Sequence, residues 1–208
     1  MPLLRLPNVL MLCALVMAFC LSSGLSQQAQ AKPSVRVTSS MTSAQLPVAR
    51  KDFPHPTEKH QVFFLQRTAN ANTIVYVARF DDNGDLDKRR PLTAYWRRYD
   101  QRGQVMALRW YERVFGFGVS ARANKNGNGY LIAVNAMRSH TFELRQTAPF
   151  KAALWTQVNN RDFELIYGFL DLDESGLFPK VDRLRLYSSD PISGRYVTHL
   201  IAVSGGEY

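Results

Sequence analysis

Apolar and polar residues alternate along most of the chain after residue 60, and a period of two is typical of strands with one buried face. In residues 73–80 the alternating apolar positions are Ile74, Tyr76, Ala78 and Phe80. Residues 163–171 are apolar on both faces, so this strand is predicted to be central in its sheet. One of its faces is predicted to hold Phe163, Leu165, Tyr167 and Phe169.

Eight further segments carry the strand pattern: residues 62–68, 93–100, 118–123, 130–136, 141–146, 152–158, 181–187 and 196–203. Residues that tolerate positive φ stand between several of them, as in Asp82-Asn83-Gly84 and Ser193-Gly194, and they favour tight hairpin turns. Hairpins join antiparallel neighbours. Residues 104–115 are the exception, because their apolar positions repeat at helical spacing. We predict a short helix there, with a strand as the alternative.

These signals together predict an all-β fold, a mainly antiparallel barrel or sandwich of about ten strands with one short helix. No second domain is indicated. The folded part is expected to form a single β-rich domain over residues 59–208. Residues 32–58 are rich in Ser, Thr, Pro, Gln and Lys, and we expect them to form a flexible leader.

The N-terminus has the composition of a secretory signal peptide. Arg5 precedes an apolar run over residues 9–21, and Ala29-Gln30-Ala31 fits the small-residue rule for cleavage. As a helix the run would be about 20 Å long, short of the roughly 30 Å of a bilayer core. We therefore predict a signal peptide over residues 1–31 that is only transiently membrane-inserted, and a periplasmic or secreted protein.

The composition limits the classes of binding partner that we expect. The 208 residues include 26 Lys plus Arg against 17 Asp plus Glu, a formal net charge of +9. Because an exported protein does not meet the chromosome, we expect no nucleic-acid partner, and instead an anionic or amphipathic ligand of the cell envelope. Cys13 and Cys20 both lie in the predicted signal, so the exported chain would have no disulfide and no thiol nucleophile.

The common catalytic motifs are missing from the sequence. It contains no Gly-x-Ser-x-Gly elbow and no His-Glu-x-x-His pair, so we predict neither a serine triad nor a zinc centre, and no cofactor. An envelope hydrolase with an acid or histidine centre is the alternative. It would require Glu112, His140 or His199 to converge on one pocket.

One segment partly matches a twelve-residue calcium-binding loop. Its ligands would be Asp171, Asp173, Ser175 and Asp182, with a glycine at the sixth of twelve places. The flanking segments are predicted strands rather than helices, and the last place holds Asp where a bidentate Glu is usual. A solvated turn explains the same residues, so no metal site is predicted.

The most suggestive cluster is rich in amides, aromatic rings and arginines. Residues 66–73 join two apolar strands, and in the next strand Trp96 and Arg98 share one face while Arg97 lies on the other. An arginine beside aromatic rings can bind a carboxylate, a phosphate or a sugar. The candidate ligand-binding residues are Arg67, Asn70, Asn72, Tyr76, Trp96 and Arg98. A purely structural alternative is an arginine paired with an acid, with the asparagines shaping a turn.

Three stretches resemble a bacterial family known only as a domain of unknown function, numbered four-eight-three-three. They are the segment from Phe63 to Tyr76 with its Gln-Arg-x-x-Asn-x-Asn core, residues 91–96, and residues 108–113 with the following glycines. The resemblance covers about residues 60–203. This chain has Phe115-Gly116-Phe117-Gly118 where a Tyr-Gly pair is expected. The resemblance implies one exported globular domain and supplies no activity or catalytic residues.

The sequence thus predicts an exported cell-envelope protein, a non-catalytic β-barrel or sandwich that binds a ligand. The hydrolase is the alternative function. An interaction module that acts through its surface is a third possibility.

Overall fold

A computed structural model of the chain describes residues 37–125, 129–138, 140–173, 175 and 180–202. These residues form twelve strands. In chain order the strands are β1 Val37–Ser43, β2 Gln61–Arg67, β3 Asn70–Ala78, β4 Leu92–Arg98, β5 Gln104–Ala107, β6 Val119–Ala123, β7 Tyr130–Val134, β8 Thr141–Ala148, β9 Lys151–Val158, β10 Arg161–Asp173, β11 Lys180–Ser189 and β12 Tyr196–Ala202. One π-helical turn spans Glu112–Phe117, and short 3-10 turns span Tyr99–Gln101 and Asn135–Met137.

The predicted all-β class is confirmed. All ten predicted strands are present, and the two strands that the pattern missed are β1 and β5. All twelve strands belong to one curled sheet. In the part of the chain that the structure covers, no helix has the length and apolar character needed to span a membrane.

The predicted helix over residues 104–115 divides into two elements. Its first part is strand β5, which pairs antiparallel with β4 so that Met106 lies opposite Trp96. Its second part becomes the π-helical turn, which begins at Glu112 and ends at Phe117. The strand alternative is therefore correct for the first part, because β4 offers that segment backbone partners that helical periodicity does not reveal.

Strand β10 is central, as predicted. Its first half pairs antiparallel with β9, its second half pairs parallel with β2, and its other edge pairs with β11. From β10 the sheet runs in one direction through β2, β3, β4 and β5, and in the other through β9, β8, β7 and β6. Gly168 lies at the parallel pairing, where a Cβ would come within 2.8 Å of Leu65 Cδ1. The side chains of the core therefore cover this backbone directly.

The two faces of β10 do not follow strict alternation. Leu165 packs in the main core together with Leu170, whereas Tyr167 and Phe169 pack in a second aromatic cluster. The prediction that Leu165 shares a face with Tyr167 is wrong. The register with β11 shifts between these two residues, and such a bulge adds one residue and moves the following side chains to the opposite face.

Part of the segment expected to form a leader lies against the sheet. Strand β1 pairs antiparallel with β12, and Phe53 packs against Phe169 with ring centroids 6.3 Å apart. Tyr167, Phe64 and Tyr187 supply the rest of the aromatic surface that this segment covers. The apolar area removed from water on this second face stabilises the contact.

Candidate functional site

A cavity of about 420 Å³ lies beside the turn between β2 and β3. The β2–β3 turn, the π-helical turn, the Asn135–Met137 turn, β10 and β11 line it. Two of its lining residues are polar, Arg67 and Asn70, and most of the others are apolar. The complete lining is Arg67, Ala69, Asn70, Phe115, Gly116, Phe117, Ala136, Leu170, Leu172 and Val181. The cavity thus combines one cationic end with a largely apolar wall.

Arg67 is the last residue of β2, and its guanidinium stacks on a tryptophan. The guanidinium carbon lies 4.6 Å from the ring centroid of Trp96, and Nη2 donates to Asn70 Oδ1 at 3.4 Å. Stacking on the ring orients the plane of the guanidinium. The cationic end of the cavity is therefore built by Arg67 and Asn70 on a tryptophan support.

Trp96 is itself held in place. It is buried, its Nε1 donates to Glu112 Oε2 at 3.1 Å, and its ring meets Phe117 edge to face at 5.3 Å. The same Glu112 oxygen accepts a hydrogen bond from the backbone N–H of Arg109 at 2.8 Å. Glu112 therefore connects the π-helical turn to β4 and to the support of Arg67.

Tyr76 forms the second connection between the sheet and the π-helical turn. Its side chain is fully buried, and its hydroxyl donates to the Phe117 carbonyl at 3.1 Å. Burial raises the pKa of Tyr76, so the hydroxyl keeps its proton and remains a donor. π-Helical geometry is rare in proteins, and single π-helical turns within α-helices are frequent at functional sites.

The remaining predicted residues lie outside the cavity lining and contact other parts of the protein. Asn72 is buried and its Oδ1 accepts a hydrogen bond from the backbone N–H of Asp100 at 3.2 Å. Arg98 lies 6.0 Å from the Trp96 ring, and its Nε is 3.5 Å from a carboxylate oxygen of Asp100. Asn70 Oδ1 also accepts from the N–H of Asn72 at 3.1 Å, which shapes the turn. These contacts are the ones that the structural alternative anticipated.

Of the six predicted residues, Arg67 and Asn70 line the cavity, and Asn72, Tyr76, Trp96 and Arg98 do not. The sequence pattern did not predict the apolar wall of the cavity. Besides Ala69 in the turn itself, its members come from four distant segments of the chain, namely Phe115 and Phe117, Ala136, Leu170 and Leu172, and Val181. The closest signal in the sequence is the Phe-Gly-Phe-Gly run at residues 115–118, which interrupts the strand pattern.

The residues considered for a hydrolase have separate partners. Glu112 binds Trp96 as described, and His140 Nε2 lies 2.7 Å from Thr156 Oγ1. His199 Nε2 lies 3.0 Å from Ser188 Oγ, and both side chains are buried. Ser188 Oγ donates to the Val197 carbonyl at 3.2 Å, which leaves His199 Nε2 to donate to Ser188 rather than to take its proton.

The electrostatics of His199 also fit a core residue. Burial and, to a smaller extent, the nearby His140 together lower its pKa to about 4. Burial likewise lowers the pKa of His140. Both rings are therefore neutral at neutral pH, and His199 has no route to a substrate from solvent because only 2% of its surface is exposed.

The calcium candidates engage arginines or the backbone. Asp171 accepts from Arg185 Nη2 at 2.6 Å, and Asp182 pairs with Arg183 at 2.9 Å. Asp173 Oδ1 accepts from the N–H of Ser175 at 2.9 Å. Residues 174 and 176–179 of the proposed loop lie outside the described residues. Among the residues that are described, no group of three or more His, Cys, Asp or Glu is arranged to hold a metal ion.

Comparison with known proteins identifies the family. A model of the family described as Domain of unknown function (DUF4833) matches residues 63–199, most of the chain, including most of β2, all of β3 to β11 and the whole cavity lining. A search of curated proteins and a search of solved structures give no significant match. The resemblance seen in the sequence is thereby confirmed, and the chain belongs to the DUF4833 family.

Proposed function

We propose that this protein is an exported, non-catalytic component of the cell envelope whose β-domain binds a small anionic amphiphile. The observation that carries the proposal is the composition of the cavity, which sets Arg67 and Asn70 against an otherwise apolar lining. A ligand with a carboxylate or phosphate head and a short apolar tail complements both parts. The excess of Lys and Arg over Asp and Glu, of which only Arg5 lies in the predicted signal peptide, favours the encounter with an anion.

The head group would bind at Arg67. A guanidinium presents a planar pair of donors that matches the two oxygens of a carboxylate or phosphate, and charge-assisted bonds of this kind are the strong ones. Trp96 fixes the plane of the guanidinium before the ligand arrives, which reduces the entropy lost on binding. The Asn70 side chain lies next to it and can supply an amide donor.

The tail would lie along the apolar wall. Leu172 and Val181 are partly buried, so a ligand chain can cover surface that these residues still expose to water. A cavity of about 420 Å³ is in the range of small-molecule sites, which are usually apolar with a few placed polar groups. A medium-chain carboxylate such as decanoate is therefore a suitable probe.

Replacement of Arg67 should weaken the binding of decanoate by about tenfold or more, because one charge-assisted pair contributes roughly 1.5–3 kcal/mol. The measurement is calorimetric titration of decanoate into the full chain and into Arg67→Gln. Decanol, which has the same tail and no charge, should bind both proteins equally.

Arg98→Gln is the matched control. It removes the same charge near the same tryptophan but from a residue outside the cavity lining, so decanoate should bind as it does to the parent protein. Equal affinity of the parent and Arg67→Gln for decanoate would contradict the head-group assignment. Leu172→Gln tests the wall separately, and an unchanged affinity for decanoate would show that the tail binds elsewhere.

The exported location is tested by the mature N-terminus. If the signal peptide is cleaved as proposed, the protein recovered from the producing cells begins at Lys32 and has lost both Cys13 and Cys20. Intact-mass measurement and N-terminal sequencing of the fractionated protein check this. Bulky replacements of Ala29 and Ala31 should block the processing, because the cleavage site requires small residues there. Recovery of the unprocessed chain from the cytosol would overturn the proposal.

A further inference from the structure

Four large apolar side chains stand out from the protein surface within six residues. Trp110 is 67% exposed, Phe115 63%, Val114 46% and Tyr111 42%. We call these four residues the aromatic tip. They lie at and just before the π-helical turn, between strands β5 and β6. Contiguous exposed apolar surface of this kind marks an interaction site more often than isolated apolar residues do.

The rings of the aromatic tip contact one another. Trp110 meets Tyr111 at 5.9 Å and Phe115 at 6.3 Å, both edge to face. The backbone beneath them is fixed from the inside, because Glu112 binds Trp96 and the Phe117 carbonyl binds Tyr76. The sequence therefore presents the rings outward on an anchored turn.

The charged groups around the aromatic tip are arginines. Arg109 donates to the Tyr111 hydroxyl at 2.9 Å, and Arg138 donates to the Val114 carbonyl at 3.3 Å. Arg113 and Arg90 line a separate cleft of about 360 Å³ that adjoins the turn. Glu112 is the acid in the segment, and its carboxylate accepts its bonds from Trp96 and from the backbone. The outward charge of this surface is consequently positive.

We propose that the aromatic tip and the Arg90–Arg113 cleft form a docking surface for an anionic phospholipid bilayer. Trp and Tyr rings favour the boundary between head groups and hydrocarbon, because each combines an apolar body with a polar group. Arginines bind phosphate through their planar fork, and basic residues beside inserted rings are attracted by anionic lipid. The rings enter the interface while Arg90 and Arg113 contact phosphates.

The charge pattern favours lipid over a protein partner as the occupant. A protein surface would have to offer an apolar patch ringed by acids of matching geometry, whereas an anionic bilayer offers both chemistries at any lateral position. The aromatic tip and the cavity proposed above share Phe115, whereas Trp110 and Val114 do not line that cavity, so variants at these two residues test the docking surface separately.

The direct test follows the fluorescence of Trp110 in the full chain. The probes are vesicles of phosphatidylcholine alone and vesicles of an equimolar mixture with phosphatidylglycerol. The contribution of Trp110 is isolated by subtracting the spectrum of Trp110→Phe. We expect a blue shift of Trp110 emission and reduced quenching by acrylamide with the anionic vesicles. Unchanged Trp110 emission with both vesicle types would overturn the proposal. The surface would then be assigned to a protein partner.

Variants then separate the aromatic tip from any other apolar part of the chain. Trp110→Ser with Val114→Ser should weaken binding to the anionic vesicles by at least tenfold. The matched control, Ile192→Ser with Val48→Ser, removes apolar side chains of comparable exposure, 85% and 48%, from other places. The N-terminal apolar run is common to all these proteins. Equal losses in both double variants, or in neither, would overturn the assignment.

The role of the arginines has its own measurement. Arg90→Gln with Arg113→Gln should reduce the preference for anionic over neutral vesicles by about tenfold, and added salt should reduce the preference of the parent protein likewise. Thermal unfolding midpoints equal to that of the parent establish that the variants are folded. A preference that persists in the double variant would exclude the cleft from the docking surface.

Discussion

Replacing Tyr167 with Ala should lower the free energy of unfolding by about 4 kcal/mol, the cost of removing a large buried ring. Tyr167 is fully buried between two other rings, 4.8 Å from Phe64 and 4.2 Å from Tyr187, with all three nearly parallel. Truncation leaves a cavity that two flat aromatic neighbours cannot easily fill. Urea unfolding at neutral pH measures the loss.

The hydroxyl of Tyr167 has a more specific role. It donates to the Pro47 carbonyl at 2.6 Å and accepts from the N–H of Ala49 at 3.0 Å. Tyr167→Phe should cost about 1–2 kcal/mol, because both backbone groups lose their partner. It should also speed amide hydrogen exchange in residues 46–53, which this hydroxyl holds against the sheet.

Tyr76→Phe is the control for this effect. It also removes a buried hydroxyl that binds a backbone carbonyl, but that carbonyl belongs to Phe117. We therefore expect a comparable loss of stability with no change of exchange in residues 46–53. If Tyr167→Phe leaves the exchange of residues 46–53 at the parent rate, the hydroxyl does not hold that segment.

The second large effect depends on pH. Burial lowers the pKa of His199 to about 4, against an ordinary value of 6.5 in the unfolded chain. The unfolded state therefore binds the proton more tightly, and acid favours unfolding. The effect of His199 on the free energy of unfolding is absent above pH 6.5. It destabilises the protein progressively as the pH drops from 6.5 to about 4, and the loss from this residue reaches about 3 kcal/mol.

His199→Gln isolates that contribution. Glutamine can still bond to Ser188, but it does not titrate, so the difference in unfolding free energy between parent and variant should change across this range of pH. Carboxylate ion pairs affect both proteins equally and cancel in the difference. An NMR titration of the His199 ring gives the pKa directly. A midpoint near 6.5, or a difference that does not depend on pH, would refute the prediction.

Most of the fold was predictable because period two is a local property. The alternation of apolar and polar residues identifies strands such as β3 and β4, and turn residues separate them. The misjudged segments depended on distant partners. Strand β5 carries a helical repeat and becomes a strand because β4 lies beside it, and the bulge in β10 that separates Leu165 from Tyr167 follows from its register with β11.

The candidate site also has a part that the sequence predicts and a part that it does not. Arg67, Asn70 and Trp96 were recognised because amides, arginines and an aromatic strand stand close together in the sequence. The apolar wall was not recognised, because Phe115, Leu172 and Val181 are ordinary apolar residues until the sheet curls and brings them to the β2–β3 turn. Glu112 was considered only as a possible acid, and it is the structure that makes it the partner of Trp96.

The sequence by itself determined the all-β class, nearly all of the strands, the opposite faces of Trp96 and Arg97 and the family, since each of these depends on residue type and short-range spacing. Only the tertiary structure decided the order of the strands around β10, the burial of His199, the cavity and the exposure of the aromatic tip. These features depend on which distant segments pack together. The free energy that favours one arrangement is the sum of contacts across the whole core, so no single stretch of the chain determines it.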